Sequence, residues 1–379
     1  MEATVENVGK KNIPIKVWAC IGGIVLAFEA YVLTKWITGP YFTPVEVGPS
    51  EVPQWMMMTL RTIEVVTLSL WLWCIWHFIV RPWRKEHRIT VEGLLCVALG
   101  LVGYFLDNLC NYGGAVFTYN TAFLNLGSWI YEVPGCVLPG KPGASLSAPL
   151  WGLSIYASVI FLAPVVGCAA MRKLKKYRPQ ITPLGLLGSI FCVMTLFDIV
   201  FEGYMLMPLG THTYAGAPDW MSINVDRYYK YDFLEGISYG CVWMCLSALL
   251  YFKDDKGNTI VERGIDELKY STRRKNFLRF LAVCGFVAVV MIVCVLIPYY
   301  WKAGHMSHYP EEVQQRSYLL SGLCGEGTNQ ACFGPAVPLP RGNVSARVTP
   351  HGELFIPDGT ELPKFVPLDR GPLGPKGDR

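Results

Sequence analysis

The chain has 379 residues, of which 52% are hydrophobic, 13% aromatic and only 16% charged. With a mean hydropathy of +0.32, this profile excludes an ordinary soluble enzyme and places the chain among helical membrane proteins. The formal net charge of +4 does not point to nucleic acid, because the basic clusters are short and each adjoins an apolar stretch. The expected partner surface is the lipid bilayer.

Apolar stretches bounded by charged or turn residues run over 15–36, 57–80, 91–109, 150–171, 184–207, 234–252 and 277–300. Each is close to the about 20 residues that a helix needs to cross a membrane. The expected fold is therefore all-α: a polytopic bundle of seven transmembrane helices over 15–300, between a short segment 1–14 and a Pro/Gly-rich tail 301–379. Arg81, Arg84, Lys85 and Arg88 follow the second stretch, Arg172 to Arg178 carries five bases after the fourth, and Lys253 to Lys275 follows the sixth. The alternate loops are nearly free of base. By the positive-inside rule, segment 1–14, with Lys10 and Lys11, is cytoplasmic and the tail extracytoplasmic, in a multi-pass protein of the cell membrane. The first apolar stretch is too long for a signal peptide and lacks a small-residue cleavage site.

Most of the thirteen cysteines fall within apolar stretches, as small buried hydrophobes. Of the pairs expected on the outer side, Cys324 and Cys332 form a disulfide more readily than Cys110 and Cys136. Neither a CxxC nor a Cys/His spacing suggests a metal, and no cofactor is expected.

In chain order, Glu29 lies in the first stretch. Arg61 and Glu64 lie in the second at i and i+3, where opposite charges pair, and His77 is interfacial. The third stretch leads into YFLDNLCNYGGAVFTYNTAFLNLGSW, residues 104–129. On a helix, Asp107 shares a face with Asn111, and Asn108 with Tyr112; Gly113 and Gly114 then break the helix. The segment that follows is aromatic and amide-rich yet nearly uncharged, so residues 110–149 are expected to fold back over the bundle mouth as a lid. Substrate-facing side chains in it and just before it would be Asn108, Asn111, Tyr112, Tyr119, Asn120, Asn125 and Trp129. An interfacial aromatic belt would account for Trp129 but not for the asparagines. The fourth stretch has Pro164 and no ionisable residue before Arg172, and reads as scaffold.

The fifth, PLGLLGSIFCVMTLFDIVFEGYMLM, is the most informative. Asp198 and Glu202 lie four apart on one helical face, and an ionisable side chain at membrane depth costs roughly 3 kcal/mol, so both should face a polar cavity. They lie towards the C-terminal end, where the helix dipole disfavours negative charge. Tyr204 joins the substrate-facing set. Asp232 and Glu235 open the sixth stretch, either as substrate-facing groups or as complements to the helix dipole. The tail from Lys302 reads as an extended or loosely folded appendage, and Asn343-Val344-Ser345 matches a glycosylation sequon.

Two carboxyls in one low-dielectric cavity cannot both ionise easily, so one can hold a proton near neutral pH and act as a general acid. Ring faces of Tyr, Trp and Phe can stabilise the resulting cation while excluding water. The expected activity is cofactor-independent, acid-catalysed cyclisation or dehydration of a lipophilic small molecule. The competing reading is a proton-coupled carrier or ligand-binding membrane protein, although the chain shows none of the internal repeats common in carriers.

The stretches FLDNLCNYGGAVFTYNTAFLNLGSW and DIVFEGYMLMPLGTHTYAG resemble the AveC-like spirocyclase family, and the resemblance covers roughly residues 17–300. It implies spiroketal formation from a dihydroxy ketone of polyketide- or terpenoid-like secondary metabolism. On the matching positions Asp107, Asn111, Asp198 and Glu202, it implies acid/base roles for Asp198 and Glu202 and orientation of hydroxyls by Asp107. An acid-initiated terpene cyclase is the related alternative. A diphosphate-ionising mechanism is disfavoured, because Asp254 and Asp255 lack a third, suitably spaced acid.

Overall fold

The computed structural model describes residues 14–87, 89–112, 114–136, 146–325, 327–328, 330–335, 337, 347–356 and 358. Among them are seven helices long and apolar enough to cross a membrane: α1 (Pro14–Ile37), α2 (Gln54–Glu86), α3 (Val91–Tyr112), α4 (Gly152–Tyr177), α5 (Pro183–Leu209), α6 (Phe233–Tyr251) and α7 (Thr272–Ala303). Their starts follow local chemistry. Thr90 Oγ1 accepts from Gly93 N at 3.2 Å, Thr182 Oγ1 from Gly185 N at 3.1 Å, and Asp232 Oδ1 from Leu234 N at 2.9 Å. Each satisfies one of the orphan donors at a helix N-terminus, and Pro183 occupies the first turn, where its missing N–H costs nothing.

Glycines set the closest helix contacts. A Cβ on Gly22 of α1 would lie 1.9 Å from the Leu281 carbonyl oxygen of α7, and one on Gly285 would lie 2.1 Å from the Trp18 carbonyl. A Cβ on Gly240 of α6 would instead strike the Thr195 side-chain hydroxyl of α5, at 2.1 Å. Small residues allow such backbone approach between apolar helices. The outward side of α5 stays apolar, with Leu184, Val193, Leu196 and Tyr204 exposed, as suits a helix facing lipid.

At one end of the bundle the loops 38–53, 114–136, 146–151 and 210–232 interlock with residues 304–325. Val45 N donates to Asn125 Oδ1 at 2.8 Å, Thr121 N to the Tyr318 carbonyl at 2.8 Å, and Arg227 pairs with Glu312 at 2.8 Å. Two short antiparallel ladders form here. Strand β1 (Thr118–Tyr119) pairs with β2 (His212–Thr213), placing Tyr119 opposite His212, and β3 (Ser222–Ile223) pairs with β4 (Tyr231–Asp232). A third pair, β5 (Arg347–Val348) with β6 (Leu354–Phe355), lies in the tail. The Arg61–Glu64 pair of α2 anchors this end: Glu64 Oε1 accepts from Leu124 N at 2.8 Å, and Arg61 donates to the Ala122 carbonyl at 2.6 Å.

The reading of the tail from Lys302 as a loose appendage is corrected for its described part. Lys302 is fully buried, and Tyr309, Val313, Tyr318, Leu319 and Leu320 are buried over the loop after α3. Thr118 donates to the Leu319 carbonyl, and Ser321 to the Tyr119 carbonyl. The apolar side chains spaced through this segment outweigh its Pro/Gly content. Cys324 and Cys332 are joined by a disulfide with Cα atoms 4.8 Å apart, while the Cys110 thiol donates to the Leu106 carbonyl. The N-terminal residues to 13, Lys141 and the Asn343 sequon lie outside the described residues.

Candidate active site

Beneath the β1–β2 ladder lies a cavity of about 60 Å³, lined by four carboxyl side chains from three helices: Asp107 of α3, Asp198 and Glu202 of α5, and Glu235 of α6. The rest of the wall is mostly rings, including Phe117, Tyr119, Trp151, Tyr156, Tyr214, Tyr239, Trp243 and Tyr299, with Ile155, Ile160 and Leu206 between them. A space of this size holds a few waters. A larger substrate requires side chains to move aside.

Each acid meets at least one tyrosine hydroxyl. Asp107 accepts from Tyr119 at 3.1 Å and from Tyr239 at 3.0 Å, and the Tyr239 hydroxyl is hydrogen-bonded to that of Tyr156. Asp198 accepts from Tyr231 at 2.8 Å. Glu202 Oε1 lies 2.5 Å from the Tyr214 hydroxyl and 2.6 Å from His212 Nε2. Glu235 accepts from Tyr299 at 2.5 Å and faces Lys302 Nζ at 3.2 Å. Lys302 also pairs with Asp232 at 2.5 Å, and its ammonium sits 3.7 Å from the Tyr299 ring centroid, a cation–π arrangement. One buried cation thus serves two carboxylates and ties the end of α7 to the start of α6.

The backbone explains how these groups converge. Asp198 ends the α-helical part of α5, and residues Ile199–Leu206 form a π-helical stretch before Gly210, at φ 83°, ends the helix. The α-helical spacing expected for Asp198 and Glu202 is therefore loosened, yet their side chains still interact. π-Turns recur at functional sites in helices. After Gly210 the chain becomes extended, so His212 and Tyr214 alternate onto one face and both reach Glu202.

Burial pushes His212 down to about 4, against the opposing influence of the Glu235 and Asp107 carboxylates, so the ring is neutral at pH 7. Burial, then the neighbouring carboxylates, hold the Tyr119 and Tyr214 hydroxyls well above the usual tyrosine range. Both stay protonated and act as donors.

Of the residues singled out from sequence, the cavity brings together Asp107, Asp198, Glu202, Glu235 and Tyr119. Asp232 stands one layer back, on Lys302. The asparagines lie elsewhere and brace backbone: Asn111 bonds Phe117 and Val116, Asn120 bonds Gly210, Asn125 bonds Val45, and Asn108 bonds the Tyr104 carbonyl. Tyr112 donates to the Pro134 carbonyl, and Trp129 stacks on Phe105 at 4.2 Å. Tyr204 is 62% exposed and faces away from the cavity.

The sequence reading did not single out His212, Tyr156, Tyr214, Tyr231, Tyr239, Tyr299 or Lys302 as site residues. Faint signals existed: Tyr239 stands four residues after Glu235, Tyr299 three before Lys302, and His212 and Tyr214 alternate. Among the described residues, no three His, Cys, Asp or Glu side chains form a metal-ligand set.

The family model described as spirocyclase AveC-like matches residues 86–319, well over half the chain and the span that contains every acid of the cavity. No curated protein and no solved structure matches the chain.

Proposed function

The chain belongs to the AveC-like spirocyclase family, and on that premise we propose a membrane-embedded cyclase that closes rings in a lipophilic substrate by general acid–base catalysis. The observation that carries this reading is the contact of Asp198 with Glu202 inside a ring-lined cavity, where Glu202 is gripped by His212 and Tyr214. Like charges that close favour one shared proton.

For a dihydroxy ketone the steps balance as follows. The acid protonates the carbonyl oxygen, the first hydroxyl adds to the carbonyl carbon, and its proton passes to the paired carboxylate. The hemiketal hydroxyl is then protonated, its C–O bond breaks, and water leaves an oxocarbenium ion. The second hydroxyl attacks that carbon and returns its proton to the carboxylate, so the product is one water lighter and the protein unchanged.

Positioned proton transfer of this kind contributes about 10²–10⁴-fold to rate. Asp107, with its three linked tyrosines, would orient the substrate hydroxyls. The ring faces of Phe117, Trp151 and Trp243 would favour the cation. The apolar outer face of α5 offers a lipophilic substrate a route from the bilayer.

The test is comparative profiling of lipophilic metabolites from cells expressing wild type or Glu202→Gln, with each protein confirmed in the membrane. A product one water lighter than its precursor, or an isomer of it, appears only with wild type. Matched profiles, with Glu202→Gln altering proton-linked uptake instead, would assign the site to a carrier.

A further inference from the structure

We propose that Thr211 is a positioning residue: it pins the ring proton of His212 on Nδ1, turns the bare Nε2 towards Glu202, and so makes Glu202, not Asp198, the carboxyl that holds the proton at rest. This deepens the acid–base reading above and rests on it for its catalytic consequence, though not for the tautomer itself.

The argument follows the donors. Thr211 Oγ1 lies 3.0 Å from the Leu206 carbonyl near the end of α5. A carbonyl can only accept, so the single hydroxyl proton of Thr211 is committed there. His212 Nδ1 lies 2.8 Å from the same Oγ1, which has only lone pairs left to offer, so Nδ1 must carry the hydrogen. Thr211 is fully buried and His212 nearly so, which leaves little room for water to compete. Because burial keeps the ring neutral at pH 7, its other nitrogen is a bare lone pair.

That lone pair faces Glu202 Oε1 at 2.6 Å. Two unprotonated acceptors at this distance repel, so a proton lies between them, and with a neutral ring it belongs to Glu202. Both acids accept a tyrosine hydroxyl, Glu202 from Tyr214 at 2.5 Å and Asp198 from Tyr231 at 2.8 Å, but only Glu202 also has a ring lone pair set against it. The other titratable groups facing the ring are Glu235 of α6 and Asp107 of α3, whose charges bear on it, and Tyr119 and Tyr214 of the ladder region, whose rings pack against it. On substrate binding the terminal torsion of Glu202 turns its O–H to the substrate oxygen. The O–H bond to Glu202 breaks as the new one forms, Tyr214 holds the carboxylate left behind, and the second substrate hydroxyl returns the proton.

The experiment is nitrogen-15 NMR of the full-length, histidine-labelled protein in lipid nanodiscs at neutral pH, with the His212 signals identified by their loss in His212→Asn. Wild type shows a protonated Nδ1 and a bare Nε2. Thr211→Ser keeps that pattern, and Thr211→Val gives a mixture of tautomers. In turnover assays Thr211→Val lowers kcat by about 10²-fold with little change in KM, and Thr211→Ser recovers most of the loss. A protonated Nε2 in wild type, or a tautomer indifferent to Thr211→Val, would overturn the proposal; should Thr211→Val not fold, the wild-type spectrum alone decides. The spectrum needs no substrate, so a correct tautomer in a protein that forms no cyclised product would refute the cyclase reading and leave the tautomer standing.

Discussion

At the scale of the residue, the site is a set of buried acids, each matched to a different partner. Glu235 has a lysine, Asp107 a tyrosine cluster, Asp198 one tyrosine, and Glu202 a neutral histidine. The histidine makes a prediction about pH. A native value of about 4, below the ordinary 6.5, means that the unfolded chain binds the proton first as pH falls. The preference of the fold for neutral His212 is therefore fully present above about 6.5 and is lost as pH drops towards about 4, at a cost of roughly 3 kcal/mol at most. Thermal unfolding of wild type and His212→Gln should show the smaller loss on acidification in the variant; equal acid slopes would contradict the assignment. The acids were legible in the sequence because a charge in an apolar run is conspicuous. The tyrosines were not, since a tyrosine in such a run reads as one more apolar residue, and the asparagines of residues 108–125 were conspicuous for a different reason, their grip on backbone.

At the scale of the element, apolar runs located all seven helices, with ends within six residues, because span length and composition are local properties. The π-helical stretch at Ile199–Leu206 was not legible, since apolar residues look alike whether the turn holds 3.6 residues or more. Helix registry rests on adjacent glycines with opposite surroundings. A Cβ on Gly22 strikes the Leu281 carbonyl at 1.9 Å, whereas Gly23 faces open space. Gly22→Ala should force α1 from α7 and cost about 1–3 kcal/mol, while Gly23→Ala should be neutral or stabilise by up to about 1 kcal/mol through helix propensity. Melting temperatures in one detergent check both, and equal effects would refute the crossing geometry.

For the whole molecule, the alternation of basic and base-free loops is legible in sequence and matches the division of the fold. A basic end carries Arg279 on Glu262 at 2.6 Å, and the opposite end holds the cavity. The packing of the tail was hidden, because it depends on contacts such as Thr118 with Leu319, some two hundred residues apart, which local composition cannot report. A chain ending at Gly304 should therefore lose both thermal stability and product formation, since it uncovers the β1–β2 ladder and removes Leu319 and Val313, each worth about 1.5–3 kcal/mol when buried. Full activity in that truncation would show that the tail does not seal the site.

The central claim is that the Asp198–Glu202 pair supplies the acid, and the most direct measurement gives the purified protein a lipophilic dihydroxy ketone with no added cofactor. Wild type should release a cyclised product one water lighter, and Glu202→Gln, folded to the same melting temperature, should be slower by about 10²–10⁴-fold. Equal rates from the two proteins would contradict the account.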